Sequence, residues 1–213
     1  IIVKPSNKLI AYYDLPEVWD AWDIDEDYKE LYWEVKDIIE SKILEKGPLR
    51  ITLYFKKRFR SSTIEYRINI YRDLRRIELT YDINWHERNV LLKTWFYPTI
   101  HAKYAYFMIP YGVVERPIEK NTSWEKAMYE VPLTGWLDVH SRNRGFAVIT
   151  SIPRGVSVDP HAVGVSLLKS SIQPNPLSDT GRLSIKIAIM SYKGASYSKV
   201  VEEYYKFLYP LLY

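Results

Sequence analysis

PLRITLYFKKRF, residues 48–59, decides the fold class. Leu49, Ile51, Leu53 and Phe55 alternate with Arg50, Thr52, Tyr54 and Lys56. A strand sends successive side chains to opposite faces, so a period of two describes a ribbon with one apolar and one wet face. A helix needs apolar residues three and four apart, and would scatter these around its circumference. Gly47-Pro48 just upstream is a turn signal. The same alternation returns in Ile64, Tyr66, Ile68 and Ile70. After the charged Arg72-Asp73 turn it returns again in Ile77, Leu79, Tyr81 and Ile83. Burying four large side chains on one strand face contributes roughly 6–12 kcal/mol before entropy is subtracted. The core, rather than any surface ion pair, therefore sets the fold.

Upstream, residues 9–13 read as a short strand, and the chain is already strand-like at Ile1, so it is taken as a fragment. DLPEVWDAWDIDEDY (14–28) has poor periodicity and is placed as a structured loop with at most one helical turn. Residues 28–39 are ambiguous: Leu31, Val35, Ile38 and Ile39 fit a helix face or an extended edge. Downstream, 84–89 reads as a bulged strand end or a turn, followed by strands at 91–97 and 102–109. Further strands are expected at 136–139, 145–151, 155–158, 163–168 and 183–190, with 170–181 the longest turn-like run. In the tail, Val200, Val201, Tyr204, Tyr205 and Leu208 recur at helical spacing. That tail is either a short terminal helix lying on the sandwich or a strand without a partner. Many strands joined by short turns predict an all-β, large antiparallel β-sandwich over residues 1–213, as a single domain.

The chain has 213 residues, 47% hydrophobic and 26% charged, enough for a substantial core. A formal charge of +4 implies no nucleic-acid partner. Cysteine is absent, which removes disulfides and thiolate metal sites. There is no apolar run long enough to cross a membrane and no signal-peptide pattern, so no membrane partner is expected and a cytoplasmic location is. Abundant Lys, Arg and Glu, with Gln173 as the only glutamine, are consistent with a thermophilic source.

Motifs for metal or phosphate chemistry are missing. His86, His101, His140 and His161 lie at no metal-ligand spacing, and HExxH is absent. The Asp20, Asp23, Asp25, Asp27 run lacks the Gly and distal Glu of a calcium loop. No Gly-rich phosphate loop or GxSxG is present, and the Lys56, Lys57, Arg58, Arg60 cluster reads as a solvated rim. The polar candidates lie elsewhere. In YGVVERPIEKNTSWEKAMYEVPLTGWLD (111–138) short hydrophobic units bracket a polar, turn-rich middle, and the stretch carries Arg116, Asn121, Trp124 and Glu130. Pro117 biases Arg116 away from helix, and Asn121-Thr122-Ser123 is turn or cap material. Such a loop is where a β scaffold places recognition groups; the competing reading is an ordinary long connection anchored by one Trp. Trp19 and Trp22 beside Asp20 and Asp23 suggest carbohydrate contact, because indole stacks on the apolar face of a sugar ring and carboxylates accept from its hydroxyls. The competing reading is a buried Trp pair with Asp residues capping turns.

Seven segments, in order, carry a family resemblance: YDLPEVWDAWDID (13–25), EKGPLR (45–50), RRIELTYDINWHERNVLLKTWF (75–96), PYGVVERP (110–117), NTSWEKAMYEVP (121–132), GWLDV (135–139) and SLLKSSIQPNPLSDTG (166–181). Together they resemble the C-terminal region of family 38 glycoside hydrolases, the zinc-dependent retaining alpha-mannosidases. The resemblance implies a galactose-mutarotase-like supersandwich. It also implies that zinc, the Asp nucleophile and the acid/base carboxylate belong to a catalytic domain outside this chain, on the same or a separate polypeptide. No catalytic residue and no cofactor is then expected here, and the chain alone is expected to be inactive. What remains is scaffold, domain interface and outer contacts to mannosides or oligosaccharides, for which Trp19, Asp20, Trp22, Asp23, Glu87, Arg116, Asn121 and Trp124 are the candidates. A stand-alone carbohydrate-binding module and a separately encoded assembly subunit are the alternatives.

Overall fold

The computed structural model describes residues 6–210; the strand expected at Ile1 lies outside them. In chain order the elements begin with β1 (Lys8–Tyr13), β2 (Tyr32–Glu34), β3 (Ile38–Lys46), β4 (Arg50–Phe59), β5 (Ser62–Tyr71) and β6 (Arg76–Trp85). They continue with β7 (Val90–Phe96), β8 (Tyr104–Ile109), β9 (Gly112–Pro117), α1 (Ser123–Ala127), β10 (Val131–Leu133) and β11 (Trp136–His140). The last are β12 (Arg144–Thr150), β13 (Arg154–Asp159), β14 (Ala162–Lys169), β15 (Gly181–Lys193) and α2 (Ser198–Leu208).

Among the described residues the strands form two antiparallel sheets, one of six strands ordered β10-β13-β14-β7-β1-β2 and one of nine ordered β3-β4-β5-β6-β15-β12-β11-β8-β9. Neither order closes on itself, so the architecture is an open sandwich. The three alternating ribbons of the sequence are β4, β5 and β6, paired so that Leu53 faces Ile68 and Ile68 faces Leu79. Their apolar faces enter the sandwich where Leu79, Tyr81, Ile83 and Ile64 join Leu9, Leu92, Phe96 and Val165 from the other sheet, with Phe55 and Ile68 at the margin; Leu49, Ile51 and Ile70, at the far end of the β4–β5 ribbon, stay exposed instead of joining the core.

The helical option for residues 28–39 is not taken. Residues 28–30 end a turn, the chain then runs as β2 and the start of β3, and β3 is an edge strand with Ile38, Ile39 and Ile43 exposed. In the tail the helical option is taken. Val200 and Tyr204 of α2 cover Trp136, Ala147, Ile149 and Met190 on the outer face of the nine-stranded sheet. The 111–138 stretch is more regular than a loop. It holds an edge strand, β9, and a short helix whose Thr122 side chain accepts from the Glu125 N–H while Glu125 reaches back to the cap, a reciprocal capping box.

On that outer face Asp138 is fully buried. Tyr192 donates to its Oδ1 at 2.8 Å and His140 Nδ1 stands 2.5 Å from Oδ2. Burial raises the Asp138 carboxyl above its usual range, against the pull of His140 and Tyr192. Asp138→Ala strands the Tyr192 hydroxyl beneath α2. The expected loss is about 1–3 kcal/mol of stability, read as a lowered urea midpoint with an unchanged m-value.

Candidate functional site

β7 reads VLLKTWF and is buried along its whole length, because both of its faces are covered. Val90, Leu92 and Phe96 face the sandwich interior, while Leu91 and Trp95 face outward under Ile10, Tyr12 and Tyr28. Lys93 shares that outward face and is 0% exposed. A lysine there needs a full set of acceptors, since a buried unpaired ammonium is very costly. Its Nζ donates to Glu130 Oε2 at 2.5 Å and to Ser157 Oγ at 2.8 Å. Ser166 Oγ donates to the same carboxylate oxygen at 2.6 Å. Burial pulls the Lys93 ammonium below the ordinary lysine range, and the Glu130 carboxylate opposes that pull.

Glu130 stands just before β10, and its carboxylate lies against β13. A Cβ added to Gly155 would fall 1.6 Å from Glu130 Oε1, so only glycine lets the carboxylate lie there. A second buried pair sits beside the first. Lys169 Nζ, at the end of β14, is bonded to Asp14 Oδ2, and the Lys169 N–H donates to Asp179 Oδ2 at 2.9 Å. Burial raises the Asp14 carboxyl, with Lys169 opposing.

These groups border an open cleft of about 440 Å³ on the outer face of the six-stranded sheet. Its walls include Trp22, Glu130, Arg154, Ser166, Lys169 and Asp179. Arg154 donates through Nη1 to the Leu167 carbonyl at 3.0 Å, while its buried Nε finds no acceptor among the described residues. Burial lowers the Arg154 guanidinium, with Asp179 opposing.

The eight residues expected from the sequence fall into three places. Trp19 and Trp22 are 68% and 69% exposed and meet edge-on, ring centroids 6.0 Å apart, on the first of two turns in the 14–31 loop. Trp19 takes a positive φ of 57° to make that turn. Asp20 is buried between them and accepts from the Ile172 and Gln173 N–H groups at 2.6 and 3.0 Å, tying the loop to the 170–181 run. Asp23 caps the Ile24 N–H at 2.9 Å. The two carboxylates therefore hold backbone, as the turn-capping reading has it, whereas the Trp pair is exposed rather than buried.

Arg116 turns beneath α1, over the Phe107 ring at 5.5 Å and beside Met128, and lines a separate cavity of about 30 Å³. Asn121 is exposed ahead of the helix, its N–H on Glu125, and Trp124 on the helix is 85% exposed. Glu87 is buried at another corner, accepting from Ser61 N and Ser62 Oγ at 3.0 and 2.9 Å in the β4–β5 turn. Of the eight, only Trp22 lines the cleft. Sequence reasoning missed Lys93 and Ser166 and did not select Glu130. The signal available was a lysine in the middle of an otherwise apolar strand.

The side chains of the described residues do not form a zinc site. A zinc site takes three or more protein ligands, and no three His, Asp or Glu side chains converge among the described residues. His101 and His161 pack edge to face at 4.9 Å, a pair without a third ligand.

Comparison with known proteins places these features in a family. The model described as "Glycosyl hydrolases family 38 C-terminal domain" matches residues 2–177. Alpha-mannosidase G of Dictyostelium discoideum is 32% identical over 210 residues, covering 94% of this chain and 19% of that protein. The alpha-mannosidase of Saccharomyces cerevisiae is 27% identical over 216 residues, covering 98% of this chain and 20% of that protein. The chain thus spans about a fifth of the length of the curated relatives it matches. A crystal structure of an alpha-mannosidase from Enterococcus faecalis superposes with a TM-score of 0.75 at 13% identity, over 96% of this chain and 28% of that one, a likeness of fold.

Proposed function

The chain belongs to glycosyl hydrolase family 38, as its C-terminal domain, and from that membership we propose that it serves a zinc-dependent, retaining alpha-mannosidase that removes terminal alpha-linked mannose. Coverage carries the reading: relatives named alpha-mannosidases match nearly all of this chain over only a fifth of their own length. In this reading the zinc, the nucleophile and the acid/base carboxylate lie in the remainder of such a protein, on the same or a separate polypeptide. The covalent glycosyl-enzyme step of a retaining mechanism is then made there. This chain contributes a rigid sandwich, a surface for the catalytic part and outer contacts to mannosides or oligosaccharides.

Within that role the exposed indoles of Trp19, Trp22 and Trp124 are the groups with open faces, available to a sugar ring or to the catalytic part. Asp20, Asp23 and Glu87 act by holding backbone. Arg116 and Asn121 act from either side of α1 by setting its position. Protein purified from its natural source is expected as a larger, zinc-containing species that hydrolyses a chromogenic alpha-mannoside. A species of this chain's mass alone, free of zinc and inactive even beside a zinc-bearing partner, would sink the mannosidase reading. The exposed Trp19–Trp22 turn favours one further element, direct sugar binding by this chain.

A further inference from the structure

We infer that the cleft on the outer face of the six-stranded sheet is a hexopyranose-binding subsite, with Glu130 accepting from ring hydroxyls and Trp22 stacking on the ring. The inference deepens the sugar-contact role proposed above and rests on it only for the choice of mannose as the first probe. The geometry of Glu130 carries it. One carboxylate oxygen is fixed by Lys93 and Ser166, while Oε1, lodged against Gly155, takes no hydrogen bond from the described residues. That leaves an acceptor held in one orientation at the wall of an open cleft, which is how binding sites present polar groups.

The expense of this arrangement is a second argument. A leucine or methionine at Lys93 would fill the outer face between Leu91 and Trp95 without desolvating a charge, and buried pairs are commonly no better than such replacements for stability. Lys93 thus has its clearest use in orienting Glu130.

The mixture of groups around the cleft selects the ligand. Glu130 and Asp179 disfavour an anion, and Arg154 and Lys169 disfavour a cation. A neutral polyol suits both signs, because each hydroxyl donates and accepts. Arg154 forms part of the same wall, held there by its Nη1 bond to the Leu167 carbonyl. Trp22 adds an exposed aromatic plane, and a pyranose is the common neutral polyol with an apolar C–H face to set on it. At about 440 Å³ the cleft falls within the roughly 300–1,000 Å³ of small-molecule sites.

The test is calorimetric titration of the whole chain with methyl alpha-mannopyranoside, with inorganic phosphate as competitor. Saturable binding with a Kd on the order of 1 mM is expected, unaffected by phosphate. Trp22→Ala is expected to weaken it at least about tenfold. Tyr111→Ala, at the exposed β8–β9 turn and outside the cleft, is expected to leave it unchanged. Gly155→Ala, which drives a Cβ into the Glu130 carboxylate, is expected to abolish it. The Trp22 and Tyr111 side chains are exposed, so their variants are read on a folded chain. No saturable binding, equal effects of Trp22→Ala and Tyr111→Ala, or displacement by phosphate would each overturn the subsite. Outcomes for the mannosidase reading stand apart. Hydrolysis by a zinc-bearing species without binding by this chain removes the subsite alone, and binding without any such species removes the mannosidase reading alone.

Discussion

Lys93→Met is expected to lower stability by about 3–5 kcal/mol, and Lys93→Met with Glu130→Gln to recover most of that loss. The single substitution takes away the ammonium at 2.5 Å and leaves the Glu130 carboxylate pressed against Gly155 with Ser166 as its one remaining donor. A buried charge without its counter-ion keeps its desolvation cost and loses the attraction that offset it. In the double variant the amide stays neutral and still accepts from Ser166, and methionine fills the lysine's track beside Trp95. A double-mutant cycle by urea denaturation gives the coupling directly. Additive losses would mean that the two residues act separately.

The pH dependence of this pair has a definite sign. Burial depresses the folded-state Lys93 value below 10.5, so between that depressed value and 10.5 the unfolded chain binds more protons. Stability of the native protein relative to Lys93→Met should therefore rise with pH through that window. The double variant also separates structure from recognition: stability returns while mannoside binding does not.

The nine-stranded sheet was the most legible part of the molecule because β4, β5 and β6 are half-buried, and one wet face imprints alternation on the sequence. β7 and β14 are covered on both faces, by the facing sheet on one side and by Ile10, Tyr12, Tyr28 and Glu130 on the other. Their sequences are apolar runs, from which a strand can be inferred but not the layer it belongs to. Residues 28–39 imitated a helix because Leu31, Ile38 and Ile39 lie at or beside a free sheet edge, where apolar residues face solvent and no burial pattern is enforced.

The site was less legible still. Lys93, Glu130 and Ser166 come from separate strands and loops, brought together by the β7–β14 pairing and by the chain crossing from β9 to β10. Spacing along the chain carries no trace of such a meeting. The Trp and Asp residues of 19–23 stood out by composition, yet the fold divides them: exposed indoles on one side, backbone-capping carboxylates on the other.

Trp85→Ala is expected to cost about 3–5 kcal/mol, and Trp85→Phe only about 1 kcal/mol, and the difference says what holds the cleft's rim. Trp85 is fully buried at the end of β6, its ring stacked on Phe59 at 5.6 Å with the planes 2° apart. Its indole N–H donates to Ser170 Oγ at 3.2 Å. Ser170 in turn donates its N–H to the Val90 carbonyl at 3.0 Å, accepts from the Val90 N–H through Oγ at 3.3 Å, and accepts from the Asn89 N–H through its carbonyl at 2.8 Å. Ser170 opens the 170–181 run, whose Ile172 and Gln173 are gripped by Asp20 and whose Asp179 borders the cleft. A core side chain of the larger sheet thereby fixes a loop on the far side of the smaller one. Phenylalanine keeps the stack and drops the hydrogen bond, so a small stability loss should come with a measurable weakening of mannoside binding. Alanine leaves a cavity in the sandwich, and thermal unfolding should move down by many degrees. If Trp85→Phe leaves both stability and binding at the native values, the Ser170 bond does not position the rim, and Asp20 alone would have to carry that task.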